Sequence, residues 1–291
     1  MKRSGFLAKS RGRVRGVKEI FKSEGINPDP IKDQFFIADD EIAEQIVQIA
    51  EINGEDIVFE IGAGTGVLTR LLAQKAKKVI AFEIDRRFQN LLKELPSNIE
   101  MHFENAVKYF QLHGKFFKKR EYNKIVSNPP YSVCEPLLHN LTFLNYDKAV
   151  LMIPVKLAYT IEKNPIFSSF FEVKRSLGIP KEKFYPVPKS NAVVVDLIKR
   201  EDPIKTKNPG LFLKRYLYTH EHQLVKNALR EGIIKYARLT QQRSVTKNEA
   251  REIVTKMGIK NELLNKHPDN HEVYREVESK AKHLEEVVVC G

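Results

Sequence analysis

Asn128-Pro129-Pro130-Tyr131 follows Asn123-Lys124-Ile125-Val126-Ser127, a run that reads as a short buried strand. An amide, two prolines and an aromatic at the C-terminal end of a strand suit one chemical problem: making a planar amino nitrogen react. The lone pair of the amino group on adenine, or of a side-chain amide, is delocalised into the attached π-system. Two acceptors that take its two N–H protons favour a pyramidal nitrogen with a more available lone pair. The side-chain oxygen of Asn128 is one such acceptor. The carbonyl of Pro129 is the other, because proline keeps its C=O while losing its N–H. The prolines fix φ and so place the acceptors in advance. Tyr131 offers a ring on which a flat base stacks, worth about 1–3 kcal/mol. The four residues also suit a plainer role, a turn closing a strand with Tyr131 lying over the core, and the surrounding chain must decide.

A second constellation supplies a cofactor. Glu60-Ile61-Gly62-Ala63-Gly64-Thr65-Gly66 follows a strand and opens a helix. Its glycines let the backbone approach a ligand closely. The spacing is G-x-G-x-G; the dinucleotide fingerprint needs glycine at position 67, where Val67 stands. Glu83 ends the next strand, a position from which a carboxylate accepts from two ribose hydroxyls. S-adenosylmethionine (SAM) fits better than NAD, because it has no pyrophosphate that requires the longer fingerprint. Its amino-acid end belongs by the loop, its ribose by Glu83 and its adenine by the third strand.

The elements that position these residues alternate. Strands are expected over 56–61, 78–83, 99–103, 123–127 and 148–153, with helices over 67–76, 86–95, 135–144 and 155–162. Asp39 or Asp40 caps an earlier helix with Ile42, Ile46, Val47 and Ala50 on one face. This alternation predicts an α/β fold, a doubly wound, mainly parallel Rossmann-like sheet. Residues 170–177 and 192–199 read as two further strands, then 201–210 as a linker carrying Pro203 and Pro209. Beyond it the pattern is helical, with Thr246-Lys247-Asn248-Glu249 a capping box opening a helix that Gly258 closes and a last charged helix over roughly 272–286. The expected domains are a basic, flexible arm over 1–32, a methyltransferase domain over 33–202 and a small helical RNA-binding domain over 203–291.

The chain has 291 residues and a net charge of +12, which favours a polyanionic partner, nucleic acid before membrane. Residues 1–22 hold eight Lys or Arg and one acid. Arg11, Arg13 and Arg15 alternate with small residues, a pattern that suits an arm laid along phosphates; an organelle leader or an inert solvated tail are the other readings. Two cysteines, Cys134 and Cys290, are too few for a disulfide framework or a Cys-rich zinc site. No apolar run reaches transmembrane length. The expected location is cytoplasmic. His220 and His222 lack further ligands, so they read as surface polar residues and no metal is expected.

Taken together, these motifs resemble the ribosomal RNA adenine N6-dimethyltransferase family, whose sister branch is the macrolide-resistance methyltransferases of 23S ribosomal RNA. The similarity runs from about Gln34 to Lys199 and continues weakly beyond. It is carried by Asp33-Gln34-Phe35-Phe36-Ile37, by the glycine loop, by Glu83-Ile84-Asp85, by Asn128-Pro129-Pro130-Tyr131 and by Phe184-Tyr185-Pro186-Val187-Pro188-Lys189-Ser190. The resemblance implies a class I SAM-dependent methyltransferase. It implies that Gln34, Phe36, Glu60, Gly62, Gly64, Gly66, Glu83, Ile84, Asn105, Ala106 and Asn128 hold the cofactor, and that Asn128, Pro129, Tyr131 and Phe184 handle a flipped adenine. Three positions depart from the family pattern. Glu104-Asn105-Ala106 stands where Gly-Asp-Ala is common, Pro129 replaces an aliphatic residue, and Tyr218 to Gln223 stands where relatives are richer in arginine. Lys189, Lys214, Arg215 and Lys226 are expected beside the arm as phosphate contacts.

The expected reaction is methyl transfer from SAM to adenine N6 in ribosomal RNA, by a monomer, with dimethylation of small-subunit RNA ahead of 23S RNA as the substrate. Asn-Pro-Pro-Tyr also serves enzymes acting on protein glutamine and on DNA adenine, so those remain alternatives. A non-catalytic RNA-binding assembly factor is the third; it predicts a damaged glycine loop or a lost Asn, and both are intact.

Overall fold

The computed structural model describes residues 16–113, 121–164, 166–200, 206–240, 242–268 and 271–281. In chain order come α1 (Val17–Glu24), β1 (Phe36–Ile37), α2 (Asp40–Ile49), β2 (Ile57–Ile61), α3 (Val67–Ala73), β3 (Lys78–Phe82), α4 (Gln89–Leu92), β4 (Ile99–His102), α5 (Ala106–His113), β5 (Lys124–Ser127), α6 (Tyr131–Leu141), β6 (Lys148–Pro154), α7 (Val155–Lys163), α8 (Phe167–Phe170), β7 (Phe171–Ile179), β8 (Phe184–Tyr185) and β9 (Ala192–Lys199). Five helices follow: α9 (Pro209–Thr219), α10 (Val225–Thr240), α11 (Lys247–Lys256), α12 (Asn261–Leu264) and α13 (His271–Lys280). None of the described helices is long and apolar enough to cross a membrane.

Seven strands lie in the order β4-β3-β2-β5-β6-β9-β7, and β1 pairs with β8 in a separate two-stranded ribbon. The pairs β4–β3, β3–β2 and β2–β5 are parallel. These strands read as near-continuous apolar runs because both faces are covered: Val58, Phe59, Val79, Ala81, Ile125 and Val126 are all buried. Parallel pairing brings the C-terminal ends of β2, β3 and β5 together, so the glycine loop, Glu83 and Asn128 emerge from one edge.

The chain divides into two compact units, one of Met1–Asn145, Val150–Val155 and Ser176–Val194, the other of Tyr146–Ala149, Lys156–Arg175 and Val195–Gly291. The second takes in strand residues that precede the expected 202/203 boundary. Within it, α10 packs on α9 and α11, and α9 packs on α13. The Thr246 capping box forms, with the Thr246 side chain and the Glu249 N–H at 3.3 Å and the Glu249 carboxylate accepting from the Thr246 N–H at 2.7 Å.

Part of the expected arm is ordered. Residues 17–24 form α1, with Val17 and Phe21, one turn apart, both buried in the core of the first unit. The helix stops at Gly25, whose φ of 63° is the left-handed region that glycine enters without penalty. Burying Phe21 contributes about 1.5–3 kcal/mol, enough to fix a short helix that its charged residues alone would leave unstable. Arg11, Arg13 and Arg15 lie outside the described residues.

Helix α6 begins at Tyr131 rather than at 135. Pro130 is its N-cap, with φ already near the helical value, so the catalytic motif is itself the strand-to-helix turn. At the opposite end of β5, Lys124 is buried; its ammonium donates to the Ala50 carbonyl at 3.1 Å and to the Glu51 carbonyl at 2.5 Å, and pairs with Asp56 at 3.0 Å. Removing that ammonium strands a buried carboxylate, so Lys124→Ala is expected to lower unfolding free energy by about 3 kcal/mol in urea titrations.

Candidate active site

The glycine loop turns tightly: Gly62, Gly64 and Gly66 have φ of 78°, 54° and 76°. Gly64 also faces a close neighbour, because a Cβ there would sit 2.7 Å from the Phe36 ring. The Gly64 N–H donates to one oxygen of Glu83 at 2.8 Å, and the Asp85 N–H donates to the other at 2.8 Å. Each carboxylate oxygen keeps a lone pair for a further donor, so Glu83 can hold the loop and still accept from a ribose diol. Ser127 Oγ donates to the Ile61 carbonyl at 2.5 Å, and a Cβ on Gly62 would lie 3.7 Å from the Asn128 carbonyl. The Ser127 bond ties the strand end before Asn128 to the residue before Gly62, and a side chain at 62 would meet Asn128.

Between them lies a cavity of about 580 Å³, within the size range of ligand sites at roughly 300–1,000 Å³. Of the expected cofactor residues, Gln34, Phe36, Glu60, Gly62, Gly64, Glu83, Ile84, Asn105, Ala106 and Asn128 line it; Gly66 instead sets the turn into α3. Ile84 is 65% exposed, an apolar side chain held out at the cavity. Glu60 is fully buried beside it, and its Oε2 has no hydrogen-bond partner. Burial pushes its carboxyl up to about 8, and burial likewise raises Glu83. Two buried acids, an orphaned oxygen and an apolar shelf fit a ligand with a cationic head, a diol and a flat base, the chemistry of SAM. The Asn105 side-chain oxygen accepts from the Lys108 N–H at 3.1 Å, capping α5, so it has one lone pair left for an adenine amino group.

Asn128 is oriented by one bond: its Nδ2 donates to the Phe35 carbonyl at 3.1 Å. That leaves Oδ1 as the acceptor. Pro129 is buried and does not line the cavity, whereas Pro130 does. Tyr131 is half-buried with its ring 5.7 Å from that of Phe35. Burial pushes the Tyr131 hydroxyl up to about 12, so it stays protonated. Phe184 does not stand free as an aromatic clamp. It is 3% exposed, set opposite Ile37 in the β1–β8 ribbon and buried in the core, so no ring face is open to a base.

Several contacts were not anticipated. Asp33 accepts from the Ser132 N–H at 2.9 Å and so ties the segment before β1 to the start of α6. Gln34 does not present its amide to the cavity unengaged. Its Nε2 donates to Asp85 at 2.8 Å, and its Oε1 accepts from the Asp29 N–H and from Arg87 at 2.9 and 3.2 Å. The Arg87 guanidinium beside Asp85 holds its carboxyl well below the usual carboxylate range. Phe35 lines the cavity next to Asn128. Asp33, Phe35 and Asp85 stand inside quoted motifs, which carry no signal of these partners, and Asp29 and Arg87 lie outside them.

Two expected phosphate contacts are corrected. Lys214 is 3% exposed and its ammonium pairs with Glu278 at 2.9 Å; Arg215 is 2% exposed and its Nε donates to the Ser169 carbonyl at 2.7 Å. Both are spent inside the second unit. Lys189 and Lys226 are exposed, Lys226 with its ammonium on Asn265.

Gly64→Ala is expected to weaken SAM binding at least about tenfold by calorimetry, because the methyl meets Phe36 at a backbone angle that L-residues resist. Stability should also report on the buried acids. Glu60 rises from the ordinary 4.5 to about 8 in the folded protein, so between those values the native state holds a proton that the unfolded chain has released. Stability then falls as pH rises across that window. Glu60→Gln is expected to flatten the fall in urea midpoints measured from pH 5 to 8.

The model of the ribosomal RNA adenine dimethylase family matches residues 32–282. The ribosomal RNA small subunit methyltransferase A of Thermotoga maritima is 30% identical over 225 residues, 73% of this chain and 78% of its own. The probable counterpart from Methanosphaera stadtmanae is 32% identical over 232 residues, 74% of this chain and 82% of its own. The crystal structure of a dimethyladenosine transferase from Plasmodium falciparum aligns with a TM-score of 0.56 at 23% identity, over 83% of this chain and 95% of that one. That of the 23S rRNA methyltransferase ErmE aligns at 0.54 and 18%, over 85% and 99%. Those two structures share the fold, a Rossmann-like α/β sheet. With a family match running from the segment before β1 through α13, the chain belongs to the ribosomal RNA adenine dimethylase family.

Proposed function

We propose that this protein is a SAM-dependent adenine N6-methyltransferase that dimethylates small-subunit ribosomal RNA. The observation that carries the reading is the set of Asn128. Its amide nitrogen is committed to the Phe35 carbonyl, its oxygen is left as acceptor, and it lines the same cavity as the glycine loop. An amino group bound there lies beside a methyl donor. Family membership and the names of the curated relatives support RNA adenine as the acceptor and the small subunit as its source.

SAM, when bound, supplies a methyl group already activated by its sulfonium. The protein's part is positioning and electrostatics. The target base leaves its stack to reach the site. The half-buried pair Tyr131 and Phe35 gives it an aromatic platform. Asn128 Oδ1 accepts a hydrogen bond from the N6 amino group, which concentrates the lone pair toward the methyl, and the buried Pro129 stiffens the turn that holds Asn128. Glu83 fixes the ribose, and Glu60 lies in reach of the positive charge of the ligand. Exposed Lys189 and Lys226 and the basic residues 1–15 supply phosphate contacts, so RNA binding weakens steeply with salt.

Incubation with labelled SAM and separate purified ribosomal subunits is expected to label small-subunit RNA. Asn128→Ala is expected to abolish that labelling while leaving SAM affinity within about threefold, because the amide acts on the acceptor rather than on the donor. Label confined to the large subunit would move the substrate to 23S RNA; a normal rate in Asn128→Ala would sink the mechanism.

A further inference from the structure

Helix α1 lies outside the span matched by the family, which begins at residue 32, yet one of its side chains reaches the wall of the cofactor cavity. The Phe21 ring meets that of Phe36 edge-on, with centroids 4.9 Å apart, and lies 6.2 Å from Phe88 and 5.9 Å from Tyr185. Phe36 is itself 5.4 Å from Phe88, and both line the cavity. The Phe36 ring is also so close to Gly64 that no Cβ fits between them. Phe36 is therefore pressed between α1 and the glycine loop. The helix is tied down by two further contacts. Lys18 places its ammonium 5.3 Å over the Tyr185 ring, and the Asn27 carbonyl, just beyond the helix, accepts from Arg87 at 3.1 Å.

We propose that Phe21 is a positioning residue for the cofactor site: from α1 it holds the Phe36 ring against the glycine loop and so sets the shape of the wall that SAM meets. The inference rests on the reading of this cavity as the SAM site. It makes the segment before the family's matched span a working part of cofactor binding. Without Phe21, Phe36 gains room on its outer side, and the loop loses the surface that fixes Gly64 in its left-handed turn.

The test compares SAM dissociation constants, measured by calorimetry, for the full-length protein, Phe21→Leu and Phe21→Ala. Leu229→Ala serves as the control; Leu229 is fully buried in the second unit, away from the cavity lining. Phe21→Leu, which keeps an apolar side chain but loses the ring contact with Phe36, is expected to weaken SAM about threefold and Phe21→Ala about tenfold or more. Leu229→Ala is expected to lose a similar amount of melting temperature with SAM affinity unchanged within about twofold. If Phe21→Ala does not fold, Phe21→Leu decides. Affinity equal to the unsubstituted protein in the folded Phe21 variants, or equal weakening in Leu229→Ala, overturns the inference while the SAM site stands. Failure of the unsubstituted protein to bind SAM overturns both.

Discussion

The hydrogen bond from Asn128 Nδ2 to the Phe35 carbonyl joins two segments 93 residues apart. An amide has one donor end and one acceptor end, and they are not interchangeable. With the nitrogen facing a carbonyl, the oxygen is obliged to face the other way; a flipped amide would set two oxygens against each other. One bond thus decides which end of the side chain meets an incoming amino group. It holds only if the Phe35 carbonyl is itself fixed. Asp33 anchors that segment to the N–H of Ser132, Gln34 anchors it to Asp85, and Phe36 is wedged against the glycine loop. Residues 33–37 therefore touch both Asn128 and the glycine loop, so the two halves of the proposed site share one supporting segment.

Charge shapes the cavity as much as packing does. Burial raises the cost of ionising both Glu60 and Glu83, and the nearby Glu83 raises it further for Glu60. Glu60 avoids that cost by keeping its proton, and its Oε2 has no hydrogen-bond partner among the described residues. A positively charged ligand offsets it on binding. The same arrangement disfavours a ligand with negative charge at that end, which a pyrophosphate would bring. Asp85 is the contrasting case. It sits at the rim under Arg87, so it stays ionised and serves to hold Gln34 and the chain around it.

The parts legible in the sequence are those whose chemistry is local. Glycines at 62, 64 and 66 after an apolar run, an acid at the end of the next strand, and Asn-Pro-Pro-Tyr at the end of another are each read within a few residues, and parallel pairing then brings the strand ends together. The Thr246 capping box was equally local. What could not be read depends on partners distant in the chain. Lys214 and Arg215 look like surface charges until Glu278 and the Ser169 carbonyl are placed beside them. Helix α1 looks like more of a basic tail, because the aromatics that bury Phe21 lie between 15 and 164 residues away. Phe184 stands in a motif that suggests an open ring, but its pairing across from Ile37 encloses it. Lys124 carries a charge at the start of an apolar strand, and the carbonyls of Ala50 and Glu51 with the Asp56 carboxylate explain why it is tolerated there.

The central claim is that the site alkylates the exocyclic nitrogen of adenine, and the identity of the modified nucleoside tests it most directly. Ribosomal RNA treated with the protein and SAM, digested to nucleosides and resolved by mass spectrometry, is predicted to yield N6,N6-dimethyladenosine. A methyl group found instead on a ring nitrogen, on another base, on ribose or on a protein glutamine would contradict the account of Asn128 as the acceptor that prepares an adenine amino group.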